Sequence, residues 1–302
     1  MYVESPEIKE NIKISDLIDQ LSLTAFNARK LGEVAKICYK MVKDKATVFL
    51  TLAGAMVPAG MRNIINTFIE RKIVSVLIST GANVVHELAE ALGFRHKIIS
   101  SSDFNLDNSN LNRVYDVLIE TSAFEAIENF IEKLLNDLNK NGVKEKISSY
   151  ELIWEIGKRI NGKSFLKSAY EKSIPIVSPT LHDSIIGLQL SVLSNLCIDY
   201  TKDIKLLLDL CFKAKKSGII IIGGGVPKNF ALQSMLLAEG FDYAVQITTD
   251  SPHFGGLSGA TLEEAKSWCK LKKNAETATV YCDATIVLPL IAVYILEKLK
   301  TD

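Results

Sequence analysis

The sequence predicts an α/β fold in which a doubly wound parallel sheet carries helices on both faces. Three observations carry that prediction. Six short β-branched runs alternate with stretches of helical period. The runs are apolar at successive rather than alternate positions, as strands buried on both faces are. Each run ends in a turn of small or capping residues from which the next helix starts. With 302 residues, 48% of them hydrophobic, the chain is long enough to bury a large core. It reads as one elaborated domain over 1–302.

The units follow in order. Residues 46–50 lead through TLAGAMVPAG into the amphipathic MRNIINTFIERK, and residues 73–79 lead through TGAN into VVHELAEALG. Residues 174–177 run through SPTLHD into SIIGLQLSVL, and 218–222 run through GGGVPKN into FALQSMLLAEG. Pro227 suits a first helical turn, where a missing N–H is no loss. Residues 243–248 precede TDSPHFGGLSGA and a helix expected over TLEEAKSWCKLK, with Thr261 and Glu264 at capping-box spacing. Residues 278–282 precede Asp283 and the helix ATIVLPLIAVYILEKL. Helical spacing within 1–45 predicts one or two packed helices as an N-terminal extension. The turn-rich 101–112 reads as a loop, and 131–172 as a helical insertion.

Composition excludes several functions. The 35 basic residues equal the 35 acidic ones, so no global field draws the chain to nucleic acid or an anionic membrane. The apolar run at 286–296 is shorter than the ~20 residues of a membrane span and contains Pro289. The charged first residues, MYVESPEIKENIK, do not suit a secretory leader, and the expectation is a cytoplasmic protein. Five cysteines without a C-x-x-C pair argue for reduced thiols rather than disulfides or a zinc site. The four histidines, His86, His96, His182 and His253, lack metal-ligand spacing, and neither a G-x-S-x-G elbow nor a Walker-type loop is present.

Ligands of open parallel sheets bind at the carboxyl ends of the strands, where helix N-termini converge. Those ends offer Gly54, Thr80, Gly81, Asn83, Asp183, the triple glycine 223–225, Thr249, Asp250 and Asp283. A glycine turn admits a pyrophosphate to backbone N–H groups, and it equally makes a tight turn. Asp183 and Asp283 suit ribose hydroxyls or a plain helix N-cap. Lys270, two residues after Trp268, stands among apolar neighbours that would desolvate its amine and favour imine formation. The bland reading is a solvated lysine, with Lys272 and Lys273 just beyond.

The segments FNARKLGE, LTLAGAMVPAGMR, STGANVVHELAEALG, SPTLHDSIIGLQL, GGGVPKNF, FDYAVQITTDSPHFGGLSGATLEEAKSWCK and VYCDATIVLPL together resemble the deoxyhypusine synthase family, most closely its archaeal branch. The resemblance covers about 26–296 in the family's order. It implies a Rossmann-like homotetramer with active sites between subunits. It also implies NAD as cofactor, spermidine as donor, and the precursor of translation initiation factor 5A as acceptor of an aminobutyl group on one lysine. By the same resemblance Lys270 is the catalytic lysine. Trp268, Glu264, His86, Glu87, Asn229 and Gly224 fall at substrate positions, Glu87 as an acid that compensates for others missing. Gly54, Ala55, Met56, Val57, Pro58, Thr80, Gly81, Ala82, Asp183, Thr249, Asp250, Asp283 and Ala284 fall at NAD positions. The chain departs from the eukaryotic pattern. Leu188 and Leu257 replace acids, His86 a glutamate, Asn229 a histidine and Cys269 a glycine. Fewer carboxylates leave a polycation fewer anchors. The alternative implied is therefore an aminobutyl transferase acting on a small amine, making homospermidine or using agmatine. An NAD-binding regulatory protein without catalysis is the third reading, opposed by Lys270 and Trp268.

Overall fold

All six β-branched runs become strands in the computed structural model, which describes residues 2–100, 110–143 and 145–301. In chain order the elements are α1 (Ile14–Leu21), α2 (Phe26–Lys43), β1 (Thr47–Leu52), α3 (Arg62–Glu70), β2 (Val76–Ser79), α4 (Gly81–Ala91), β3 (Lys97–Ile98), β4 (Leu111–Val114) and β5 (Val117–Glu120). They continue with α5 (Ser122–Lys140), β6 (Lys146–Ile147), α6 (Ser149–Arg159), α7 (Phe165–Lys172), β7 (Ile176–Val177), α8 (Ile185–Leu193), β8 (Cys197–Ile198) and α9 (Tyr200–Lys213). The last are β9 (Ser217–Ile222), α10 (Gly225–Ser234), β10 (Phe241–Thr248), α11 (Leu262–Ser267), β11 (Leu271–Tyr281) and α12 (Ala284–Thr301). The chain divides into two compact units. The first comprises the residues up to Ala53, Ile73–Ile78 and the residues from Ile204; the second comprises Gly54–Lys72 and Ser79–Asp203.

The first unit is built on strands in the order β11-β10-β9-β1-β2. β1 pairs parallel with β9, β9 with β10, and β10 with β11. Ile219 to Ile222 are at most 1% exposed, which is why the run carries no polar alternation: both faces of the strand are covered. Phe49 and Phe241 meet edge to face at 5.2 Å in this core. The expected N-terminal helices are α1 and α2, and Asp19 fastens the first of them to α12. Its carboxylate accepts from Tyr294 Oη at 2.9 Å and Lys298 Nζ at 2.6 Å.

In the second unit the helical period expected over 131–172 is the end of α5, then α6 and α7, with β6 interrupting. The start of α6 is well capped: Ser148 and Glu151 form a capping box, and Asp203 accepts from the N–H groups of Ser149 and Tyr150, each at 3.1 Å. A three-stranded antiparallel sheet, β3-β5-β4, was not legible, because its strands are only two to four residues long. The loop expected over 101–112 lies outside the described residues except for its end, where Leu111 and Asn112 belong to β4. Among the described residues no helix is long and apolar enough to cross a membrane. All five cysteines are free.

Asn83, on the first turn of α4 and 1% exposed, ties two of the strand-end turns together. Its Nδ2 donates to Gly54 O at 2.9 Å and to Thr80 Oγ1 at 3.2 Å, and its Oδ1 accepts from Val57 N at 3.3 Å. Asn83→Ala leaves the buried Val57 N–H unpaired and removes the bond to the exposed Gly54, so chemical denaturation should show a loss of about 1–3 kcal/mol.

Candidate active site

Lys270 owes its position to the way α11 ends. Thr261 caps the helix by accepting from Glu264 N at 3.1 Å. Among the described residues the Glu264 carboxylate does not return the bond, so the capping box is half-formed. The helix expected through Lys272 stops at Ser267. Trp268 closes it, Cys269 turns left-handed with φ 55°, and the N–H groups of Cys269 and Lys270 reach back to Lys266 O and Ala265 O at 3.0 Å each. That is the Schellman arrangement, which favours glycine at the left-handed residue. Lys270 is therefore not helical. It enters β11, its carbonyl accepting from Phe241 N at 3.1 Å. Its side chain is half-buried. Nζ donates to Asn229 Oδ1 at 3.1 Å and lies 5.9 Å from the centroid of the Trp268 ring.

A second amine shares this place. Lys228, on the first turn of α10, is 2% exposed. Its Nζ donates to Gln246 Oε1 at 3.2 Å, to Leu257 O at 3.4 Å and to Ala260 O. Burial pulls its pKa down to about 8, with Glu264 opposing and the charge of Lys270 assisting. Gln246 Nε2 donates to Gly223 O at 3.1 Å and to Ser258 O at 2.9 Å. The 256–260 loop is thus tied to the glycine turn. Gly224 is the close-approach glycine: a Cβ there would lie 2.5 Å from Ser258 Cα. These groups line a cavity of about 360 Å³ whose wall includes Lys228, Asn229, Leu257, Glu264, Trp268 and Lys270. It offers two amines, one carboxylate, the amides of Asn229 and Gln233, and an aromatic face. Sequence reasoning brought four of these together and passed over Lys228, reading PKN only as a helix start.

The other strand-end residues are described unit by unit. In the second unit Gly54, Ala55, Met56, Val57 and Pro58 form the turn that Asn83 holds. Thr80 precedes α4 without a side-chain cap, leaving the N-terminal backbone of Gly81 and Ala82 uncapped. Asp183 does not cap α8; Ser184 does, and Asp183 is exposed. His86 and Leu188 stand on the wall of a cavity of about 600 Å³ in this unit. Glu87 is on neither cavity wall. Its side chain is 0% exposed, takes two hydrogen bonds from Arg62 at 2.8 and 2.9 Å, and accepts from Phe165 N at 3.0 Å. Its oxygens are spent inside the unit. In the first unit Thr249 and Asp250 follow β10, and Asp283 and Ala284 follow β11, the neighbouring strand. Asp283 does act as a cap, accepting from Thr285 N at 2.7 Å and Thr285 Oγ1 at 2.6 Å, and these bonds hold its pKa below the usual carboxylate range.

The fold is a parallel α/β sheet flanked by helices, with amines, a carboxylate and an aromatic wall around one cavity of its first unit. Which family it belongs to is shown by its relatives. The family described as deoxyhypusine synthase matches residues 16–295. A protein of Archaeoglobus fulgidus described as deoxyhypusine synthase 1 is 55% identical, over 99% of each chain. A Methanosarcina thermophila protein described as deoxyhypusine synthase is 41% identical over 99% of this chain and 95% of its own. A crystal structure from Entamoeba histolytica described as a deoxyhypusine synthase shares the fold, with a TM-score of 0.69 at 18% identity over 98% of this chain and 97% of its own. The chain belongs to the deoxyhypusine synthase family and is an enzyme of that kind.

Two outcomes follow from this geometry. Cys269→Gly removes a side chain from a left-handed position and should raise stability by about 1 kcal/mol, whereas Cys269→Val should lower it. Because Lys228 binds fewer protons folded than unfolded between about 8 and its ordinary 10.5, its contribution to unfolding free energy should rise as pH climbs through that window. Chemical denaturation from pH 7 to pH 10 should show that rise in the wild type and a flatter profile in Lys228→Met.

Proposed function

We propose that the enzyme transfers the 4-aminobutyl group of spermidine to one lysine of the translation initiation factor 5A precursor, through a covalent imine on Lys270. The observation that carries this reading is the Lys270 amine, aimed by Asn229 and set beside Trp268 in a cavity with Glu264. Trp268 suits an alkyl-ammonium chain along its face, and Glu264 gives one ammonium end a counter-charge. A cytoplasmic homotetramer belongs to the same reading and rests on the family resemblance.

NAD is the proposed cofactor. Residues of the second unit suit it: small side chains at Gly54, Ala55, Gly81 and Ala82, an α4 N-terminus without a side-chain cap, and the exposed acid Asp183 for a hydroxyl. When bound it supplies the oxidant for the carbon beside the secondary amine and returns the hydride at the end. Lys270 adds its amine to that oxidised carbon. As the new C=N bond forms, the bond to the propyl-bearing nitrogen breaks, and 1,3-diaminopropane leaves with the proton that Nζ gives up. The acceptor lysine then displaces Lys270 in the same manner.

Leu257 in the cavity wall favours one second reading. With Glu264 as the carboxylate there, a small-amine acceptor needs fewer anchors than a protein, as in homospermidine formation or use of agmatine. The test supplies NAD and spermidine with and without the unmodified factor. The proposal expects one lysine of the factor to gain the aminobutyl mass, and Lys270→Ala to reduce transfer by about three orders of magnitude. Full turnover with free amines and an unmodified factor would replace it with the small-amine reading.

A further inference from the structure

The roughly 600 Å³ cavity of the second unit has one polar group on its wall whose orientation is dictated from behind. His86, on α4, touches the cavity, and its Nδ1 lies 2.9 Å from His96 Nε2. His96 Nδ1 in turn lies 2.8 Å from Glu90 Oε1. The two carboxylate-side members are shielded, the His96 side chain being 4% and the Glu90 side chain 10% exposed. Glu90 also meets Arg62 at 3.4 Å, and Arg62 meets Glu87 at 2.8 Å.

The order of donors starts from the carboxylate end. An ionised carboxylate only accepts, so His96 carries its proton on Nδ1. Glu90 is held ionised: burial pushes its pKa up, but the His96 hydrogen bond, Arg62 and Arg95 outweigh that and leave it lowered. In its neutral form His96, with its proton on Nδ1, presents a lone pair at Nε2, which then takes a proton from His86 Nδ1. Burial is the largest cause that drops the His86 pKa to about 4, so the His86 ring is neutral. Its Nε2 is left without a hydrogen-bond partner among the described residues.

We infer that Glu90 and His96 are positioning residues that lock His86 in the Nδ1–H tautomer, so that its Nε2 offers a lone pair to the cavity and selects a ligand group that donates, an amine. The other titratable groups on the cavity wall are Arg113 on β4 and Glu125 and Glu128 on α5, and Leu188 and Ile185 line it with apolar surface. The two carboxylates outnumber the Arg113 cation, and with a neutral acceptor beside aliphatic walls they suit an alkyl-ammonium. The identity of the amine rests on the transfer reading above; the tautomer does not.

The test is nitrogen-15 NMR of the histidine rings at pH 7, in a chain with four histidines. His86 should show a protonated Nδ1 and an unprotonated Nε2, the reverse of the tautomer free histidine prefers, and added spermidine should shift the Nε2 signal. His96→Leu removes the acceptor behind the ring. It should return His86 to the Nε2–H form and weaken spermidine binding about tenfold, the effect of one hydrogen bond to a charged group. His96→Gln, whose amide oxygen can take the same proton, should keep the tautomer and bind within about threefold of wild type. An Nε2–H form in the wild type, or identical behaviour of the Leu and Gln variants, overturns the relay. An unmoved Nε2 signal at saturating spermidine overturns the amine. Neither readout depends on group transfer, so a failure of the proposed reaction would be seen separately.

Discussion

The buried ammonium of Lys228 is the constraint on which the lysine cavity depends. One cation, 2% exposed, gathers an amide oxygen of β10 and two carbonyls of the 256–260 loop. An ammonium taken out of water at that cost persists only when its hydrogen bonds are met. Here the partners that meet them also set where α11 begins, and with it Glu264, Trp268 and Lys270. Gln246 works in the same direction by holding Gly223 and Ser258 together. Gly224 is required because the loop backbone passes where a side chain would stand.

Two lysines in one cavity divide the labour. Lys228 Nζ is fixed by three oxygens, whereas among the described residues Lys270 Nζ has one hydrogen bond, to Asn229, and stands beside the open face of Trp268, 63% exposed. The amine proposed to form and break bonds is the less restrained of the two. Burial is what chiefly lowers the pKa of Lys228, with Glu264 opposing and the charge of Lys270 adding to the fall, so the two lysines are electrostatically linked as well as adjacent.

Strands β1, β2, β9 and β10 were legible because each is a run buried on both faces, a pattern that few local structures besides a central parallel strand produce, whereas β11 at the sheet edge is buried at only some positions. The end of α11 was not. Nothing in TLEEAKSWCKLK breaks helical period; the stop lies in the left-handed backbone of Cys269, and a cysteine does not announce that conformation as glycine would. Asp183 and Asp283 look alike in sequence, each after a strand, yet only Asp283 caps a helix, because Ser184 takes that role next to Asp183. Glu87 read as an available acid, and its partner Arg62 lies 25 residues away, a pairing no local pattern shows. Lys228 was passed over for the same reason: its three acceptors are 18 to 32 residues distant.

The central claim is that the Lys270 amine becomes covalently joined to the substrate. Borohydride reduction during turnover with NAD and spermidine, followed by peptide mass mapping, tests it most directly. The account predicts a stable aminobutyl adduct on Lys270 that is missing without NAD. An adduct on Lys228, or an unmodified Lys270 in a protein that still transfers the group, would contradict it.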